Sequence, residues 1–223
     1  MEQLTFALAA PEPPSFVNFI AGANREAVAG LAQAARGELA ENCLLLWGPP
    51  GAGRSHLLQA TVGAARRPAL YCADPSAVPA EPPDTGALVA VDDVGRADAA
   101  AQGRLFTLFN ALQASGGVLV AAADVPPARL PLRDDLRSRL GWGLVYELQP
   151  LADADKPQAL ATHARERGFR LPDEVIAYLL AHGRRDMASL VATLAALDAY
   201  SLAAKRPVTL PLLREWLQRP LSP

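Results

Sequence analysis

Short apolar runs alternate with helical patterns along the first part of the chain, and the alternation stops near Pro150. The runs Cys43–Trp47, Ala69–Ala73, Ala87–Val91, Val118–Ala123 and Leu144–Leu148 are blocks of apolar residues, interrupted only at Glu147. Blocks of this length suit strands covered on both faces, and helices between them suit a parallel sheet, because every parallel crossover lays a helix on the sheet. Helical patterns fill the gaps, from Arg25 to Leu39, over Ser55–Arg66 and over Gln102–Ser115. After Pro150 only helical patterns follow: Ala154–Gly168, Pro172–Gly183, Asp186–Arg206 and a shorter segment over Leu210–Leu217. Met187, Leu190, Val191, Leu194 and Leu197 recur on one stripe of the third, the spacing of a packed helix face. The pattern predicts a five-stranded α/β domain over residues 15–150 and an α-helical domain over residues 151–223. Ahead of both, residues 1–14 join the apolar hexamer Gln3-Leu4-Thr5-Phe6-Ala7-Leu8 to an Ala/Pro-rich stretch, Ala9 to Pro14. Proline fixes φ and removes a donor, so this segment reads as an extended, flexible tether.

Composition narrows the class. A chain of 223 residues accommodates one full-sized domain and a small second one. A formal net charge of −2 gives no broad basic face, so any nucleic-acid contact requires a local patch. The cysteines, Cys43 and Cys72, lie in strand-like runs and read as buried thiols, since a metal site needs more ligands at closer spacing. The N-terminus lacks the basic and apolar regions of a signal peptide, and no apolar stretch reaches membrane-spanning length. A cytoplasmic protein without a membrane partner is expected.

Candidate chemistry begins after the first strand. Leu44-Leu45-Leu46-Trp47-Gly48-Pro49-Pro50-Gly51-Ala52-Gly53-Arg54-Ser55-His56-Leu57-Leu58 reads as strand, Gly-rich turn and helix start. It fits the phosphate-binding loop G-x-x-x-x-G-K-[ST] with Arg54 in the lysine place. Glycines let the backbone turn with φ > 0, so that successive N–H groups converge on phosphate oxygens. Pro49 and Pro50 cannot donate, so the cradle is expected from Gly51, Ala52, Gly53, Arg54 and Ser55 at the helix N-terminus, with Pro50 and His56 flanking it. The Ser55 hydroxyl is placed for Mg²⁺. Arginine is a longer, planar fork where lysine is a compact charge. Arg54 therefore suits a diphosphate and crowds a γ-phosphate.

The third apolar run ends in Asp92-Asp93. Asp92 is expected to hold Mg²⁺ through water and Asp93 to face an attacking water. Aspartate is shorter than the glutamate common at the latter place, which points with Arg54 to weak hydrolysis. The fourth run ends at Asp124, which either senses a γ-phosphate or opens the Asp-Val-Pro-Pro turn.

Phosphate loop, Asp-Asp strand, polar-tipped fourth strand, arginine-bearing helix and C-terminal helices come in the order of the AAA+ ATPases, which the chain resembles. Phe16-Val17-Asn18-Phe19-Ile20-Ala21-Gly22-Ala23-Asn24 is similar to the segment that frames adenine in DnaA. Leu136-Arg137-Ser138-Arg139-Leu140-Gly141-Trp142-Gly143 resembles that family's arginine-finger box. Leu148-Gln149-Pro150-Leu151, Asp155-Lys156 and Arg167-Gly168-Phe169-Arg170-Leu171-Pro172 look like the start of its helical lid. The chain as read ends at Pro223, leaving no room for DnaA's DNA-binding domain, and the resemblance narrows to the Hda family of DnaA regulatory inactivators. That family carries a clamp-binding hexapeptide, which Gln3 to Leu8 resembles, and also places arginine in the phosphate loop as at Arg54.

The resemblance implies a three-layer αβα AAA+ domain with a small helical lid, and an adenine site framed by Phe19 and Ile20. It implies ADP or ATP with Mg²⁺ on Ser55 and Asp92, and Arg139 as a catalytic arginine supplied to another subunit. The implied partners are DnaA, the sliding clamp of DNA polymerase III (its β subunit) through residues 3–8, and DNA indirectly through the clamp, with monomer or homodimer left open. The family's lid arginine aligns with Ala188, so nucleotide sensing by the lid is not expected unless Arg184 or Arg185 substitutes.

Plainer readings stand beside these. Arg139 is otherwise a surface cation, the hexamer a plain tail, and Trp142 a packing residue. His163 and His182 lack metal-ligand spacing. A regulator of DnaA is the preferred function; an ATP-driven initiator or helicase loader and a P-loop kinase are the alternatives. The kinase reading lacks an acceptor-substrate lid, and the loader reading calls for a basic surface.

Overall fold

The computed structural model describes residues 13–81, 85–183 and 186–218. The hexamer at residues 3–8, and Arg184 and Arg185, lie outside the described residues, as does the side chain of Ala188. The chain divides into two compact units, Pro14–Leu151 and the segment that starts at Ala152.

The first unit contains α1 (Arg25–Arg36), β1 (Cys43–Trp47), α2 (Arg54–Gly63), β2 (Ala69–Cys72), β3 (Leu88–Val91), α3 (Ala99–Ser115), β4 (Val118–Ala123), α4 (Asp134–Trp142) and β5 (Leu144–Glu147). The strands form one five-stranded sheet, order β2-β3-β4-β1-β5, with every pair parallel. Alternation along each strand divides the core in two. Leu44 and Leu46 of β1, Ala90 of β3 and Val120 of β4 join Leu31 of α1 and Leu57 and Leu58 of α2. Leu45, Val89 and Leu119 face the other way, onto Leu105, Leu108, Phe109 and Leu112 of α3 and Leu136 and Leu140 of α4. A central sheet with helices on both faces is the three-layer α/β architecture expected of the apolar blocks. Full burial of a leucine stabilises by about 1.5–3 kcal/mol, and Leu44, Leu45 and Leu46 are all 0 % exposed.

Covering is less complete at the edges than the apolar runs suggest. Ala69 and Leu70 of β2 are exposed, and β5 is only partly buried. Both are edge strands, and sheet order is set by tertiary pairing. Cys43 and Cys72 are buried free thiols, and burial pushes the Cys43 thiol up to about 12. Trp142, expected to pack, is instead 76 % exposed at the end of α4.

The second unit contains α5 (Lys156–Glu166), α6 (Asp173–His182), α7 (Met187–Ala204) and α8 (Leu210–Leu217). Leu190, Leu194 and Leu197 of α7 pack with Leu160, Val175, Leu179 and Leu213, so the stripe read from the sequence is the core face. Asp186 caps α7, its carboxylate accepting from the Ser189 N–H at 2.8 Å. Arg167 and Asp198 form a largely buried ion pair at 3.9 Å.

Candidate functional site

In parallel sheets ligands bind outside the carboxyl ends of the strands, and the phosphate loop leaves β1 there. The Gly48 N–H donates to the Ala123 carbonyl at 3.2 Å, holding the start of the loop against the end of β4. Gly51 and Gly53 have φ of 82° and 95°, the left-handed region that side chains resist. A Cβ on Gly53 would also lie 2.6 Å from Cε2 of Phe19, so glycine is required twice over. These turns deliver the chain into α2, whose opening N–H groups have no intrahelical acceptor and, with the helix dipole, attract an anion. Ser55 is exposed in the first turn, and Ala52 is buried beneath the loop.

Arg54 is mostly buried, its side chain 13 % exposed. Its Nη2 lies 3.6 Å from the Asp93 carboxylate, while its Nη1 is buried without a hydrogen-bond partner. A buried guanidinium nitrogen lacking an acceptor fits a site that receives an anion. Arg96 lies on the other oxygen of Asp93 at 3.9 Å. Asp93 itself sits at φ 47°, ψ 43°, in left-handed backbone where aspartate is tolerated better than most residues. The carboxylate expected to face water is therefore flanked by two guanidinium groups.

Asp92 is only 4 % exposed. Its Oδ2 accepts from the Tyr71 hydroxyl at 3.2 Å and its Oδ1 from the Asp93 N–H at 3.0 Å. No ion pair to Asp92 occurs among the described residues. A buried carboxylate held by neutral donors alone is costly without a cation, so its chemistry fits Mg²⁺. Burial and the Asp92 charge raise the Tyr71 phenol above its ordinary value. Asp124 is exposed just beyond β4.

The segment read as adenine-framing borders the same loop. Phe19 stacks obliquely on His56, with centroids 5.4 Å apart, and His56 Nε2 pairs with the Ser15 carbonyl at 3.0 Å. Ile20 is partly buried beside Phe19. Asn24, 6 % exposed, exchanges hydrogen bonds with the Gln149 backbone, donating and accepting at 2.8 Å each. Asn24 thus pins the segment to the end of β5. Asn24 closes the segment read as adenine-framing, whereas Tyr71 carried no motif, its only signal being a hydroxyl within an apolar strand.

Arg139 stands apart from this group, on α4. Its guanidinium carbon lies 4.6 Å from the centre of the Phe106 ring and 5.3 Å from that of Phe109, both on α3. Arg133 covers Phe106 too, at 5.4 Å. Arg137 instead pairs with Asp134.

Fold and phosphate loop together define a P-loop α/β protein. Residues 85–147 match the model of the bacterial DnaA ATPase domain, and residues 153–217 that of the Hda lid domain. Over these two segments the chain resembles the DnaA ATPase domain and the Hda lid. Domain III of the replication initiation protein DnaA from Thermotoga maritima superposes with a TM-score of 0.78 at 22 % identity, covering 93 % of this chain and 98 % of that one. AMPPCP-bound DnaA from Aquifex aeolicus gives 0.64 at 20 % identity, over 84 % of this chain and 65 % of that one. The Holliday junction branch migration motor RuvB of Thermotoga maritima gives 0.71 at 17 %, over 92 % and 72 %. No helix among the described residues is long and apolar enough to cross a membrane.

Proposed function

We propose that the protein regulates replication initiation by promoting hydrolysis of DnaA-bound ATP. Its own site takes an adenine nucleotide, ADP or ATP, with Mg²⁺. Residues 50–56 cradle the phosphates, Ser55 and Asp92 serve the metal, and Phe19 and Ile20 border the base. The metal neutralises phosphate charge when bound; Arg54 supplies a permanent cation and the α2 N-terminus its N–H groups. The hexamer Gln3 to Leu8 docks on the DNA-loaded β clamp. Arg139 is then offered to the γ-phosphate held by DnaA, where such a group contributes about 10³–10⁵ in rate in comparable systems.

The observation that carries this reading is the joining of a DnaA-type ATPase segment to an Hda-type lid in one chain. The flanking of Asp93 by Arg54 and Arg96 supports a protein that binds nucleotide more readily than it turns it over. Hydrolysis of DnaA-bound ATP, measured with this protein, clamp and DNA and with each omitted in turn, tests it. Stimulation that requires all three is expected; equal stimulation without the clamp removes the docking step, and no stimulation removes the function.

A second reading, an ATP-driven initiator or helicase-loader module acting on DNA, is favoured by the match of residues 85–147 to DnaA itself. It requires intrinsic turnover above about 1 s⁻¹, within the ordinary enzyme range, together with DNA binding in the absence of clamp.

A further inference from the structure

Strand alternation puts Asp92 on the α2 side of the sheet. Ala90 and Leu88 of β3 face the core shared with α1 and α2, and Asp92 follows two residues on. Tyr71 of β2 packs against the same core, one strand away, with its backbone in register with Ala90. The phenol therefore reaches along the sheet surface towards the Asp92 carboxylate. Its oxygen donates to Oδ2 at 3.2 Å and accepts from Gln59 Nε2 of α2 at 3.4 Å. A phenol has one proton, and with Gln59 as the donor to its oxygen that proton is directed to Asp92. The relay joins the phosphate-loop helix to the tip of β3 through side chains from three separate elements.

The arrangement orients Asp92 without consuming it. Each carboxylate oxygen has two acceptor directions. One on Oδ2 is taken by Tyr71 and one on Oδ1 by the Asp93 N–H. One direction on each oxygen is left, on a group that is buried and lacks an ion-pair partner among the described residues. Outer hydrogen bonds of this kind hold metal-binding carboxylates at a fixed angle.

We propose that Tyr71 is a positioning residue for the metal site, fixing the Asp92 carboxylate for Mg²⁺, with Gln59 fixing the Tyr71 hydroxyl in turn. The proposal rests on the reading of Asp92 as the group that serves Mg²⁺. It is tested on the full chain by calorimetric titration with ADP in EDTA and over a series of Mg²⁺ concentrations, for the parent, Tyr71→Phe, Gln59→Met and Asp92→Asn.

In Tyr71→Phe the Mg²⁺ concentration giving half of the metal-dependent gain in ADP affinity should rise about tenfold, the usual scale for loss of an outer-sphere partner. ADP affinity in EDTA should equal the parent's, because the hydroxyl is engaged by Asp92 and Gln59. Gln59→Met should move the same midpoint in the same direction by a smaller factor, which keeps the idea testable if Tyr71→Phe folds poorly. A parent-like midpoint in Tyr71→Phe, while Asp92→Asn shifts it, overturns the role of Tyr71 alone. Parallel losses with and without Mg²⁺ show a packing role and overturn it as well. A parent-like midpoint in Asp92→Asn, or no Mg²⁺ dependence in the parent, overturns the metal reading itself.

Discussion

The phosphate-loop end of the sheet and the α3–α4 face each present an arginine, and the two are held by different forces. Arg54 is mostly buried and faces the Asp93 carboxylate at 3.6 Å. Arg139 lies over the rings of Phe106 and Phe109 and makes no ion pair among the described residues. A carboxylate occupies a guanidinium's donors, whereas an aromatic face supports its plane and leaves the N–H edge available. One arginine is thus built into its own site, and the other is presented from a shelf. The contrast supports a division of labour in which this chain binds nucleotide with Arg54 and acts on a partner with Arg139.

The largest effect expected of that division is at Arg139. Arg139→Ala should lower stimulated hydrolysis of DnaA-bound ATP by about 10³-fold or more. ADP affinity should remain the parent's, because Arg54, Asp92 and Asp93 form a separate cluster. Loss of ADP affinity in step with stimulation would place Arg139 in this chain's own site and dissolve the contrast.

The tether gives the next effect. Leu4→Ala combined with Phe6→Ala removes two apolar anchors, each costing upwards of about 1–2 kcal/mol at a partner pocket. Clamp affinity should fall about a hundredfold in a calorimetric titration, with no change in thermal stability. An unchanged clamp affinity would show the hexamer to be a plain tail.

Much of this contrast was visible before any coordinates. β1 and β4 occupy the spans read from the sequence because their apolar blocks are bounded by polar residues or glycine. The strand, glycine turn and helix start over residues 44–58 were legible because a tight turn between an apolar block and a helix constrains local sequence. Boundaries set by single capping interactions were less so. α1 ends at Arg36, ahead of the expected Leu39, because Gly37 adopts φ 78° and receives the chain end. α3 starts at Ala99, ahead of the expected Gln102, because the Asp98 carboxylate accepts from the Ala101 N–H at 2.7 Å. Contacts between distant segments left no local signal. Tyr71 reaches Asp92 only because β2 pairs with β3, and Arg139 reaches Phe106 only because α4 packs on the same face as α3. Trp142 was misread because an aromatic in a helical pattern usually packs, and here α4 ends with it turned outward.

The shelf beneath Arg139 gives a smaller effect. Phe106→Leu keeps apolar bulk and removes the negative face of the ring. A cation–π contact near the surface contributes about 0.5–1 kcal/mol, so stimulation of DnaA should fall about two- to fivefold with ADP affinity unchanged. A rise in stimulation would mean that the shelf stores Arg139 away from its target rather than presenting it.

Asp93→Asn gives an effect of similar size and tests the other half of the contrast. Asparagine keeps the shape of aspartate and shares its tolerance for left-handed backbone, so φ 47° is retained and only charge is removed. The carboxylate is 37 % exposed, and at 3.6 Å its attraction to Arg54 is worth no more than about 1 kcal/mol after screening. Removing it leaves Arg54 with a buried Nη1 that already lacks an acceptor, and with no ion-pair partner among the described residues. ADP should therefore bind up to about fivefold more tightly, the equivalent of about 1 kcal/mol. ATP should gain more than ADP, because its additional negative charge no longer approaches a carboxylate. If Asp93 instead oriented the site for catalysis, Asp93→Asn would abolish residual turnover and leave the ratio of ATP to ADP affinity where it was. Measuring both affinities and turnover on the same variant separates a carboxylate that restrains Arg54 from one that serves an attacking water.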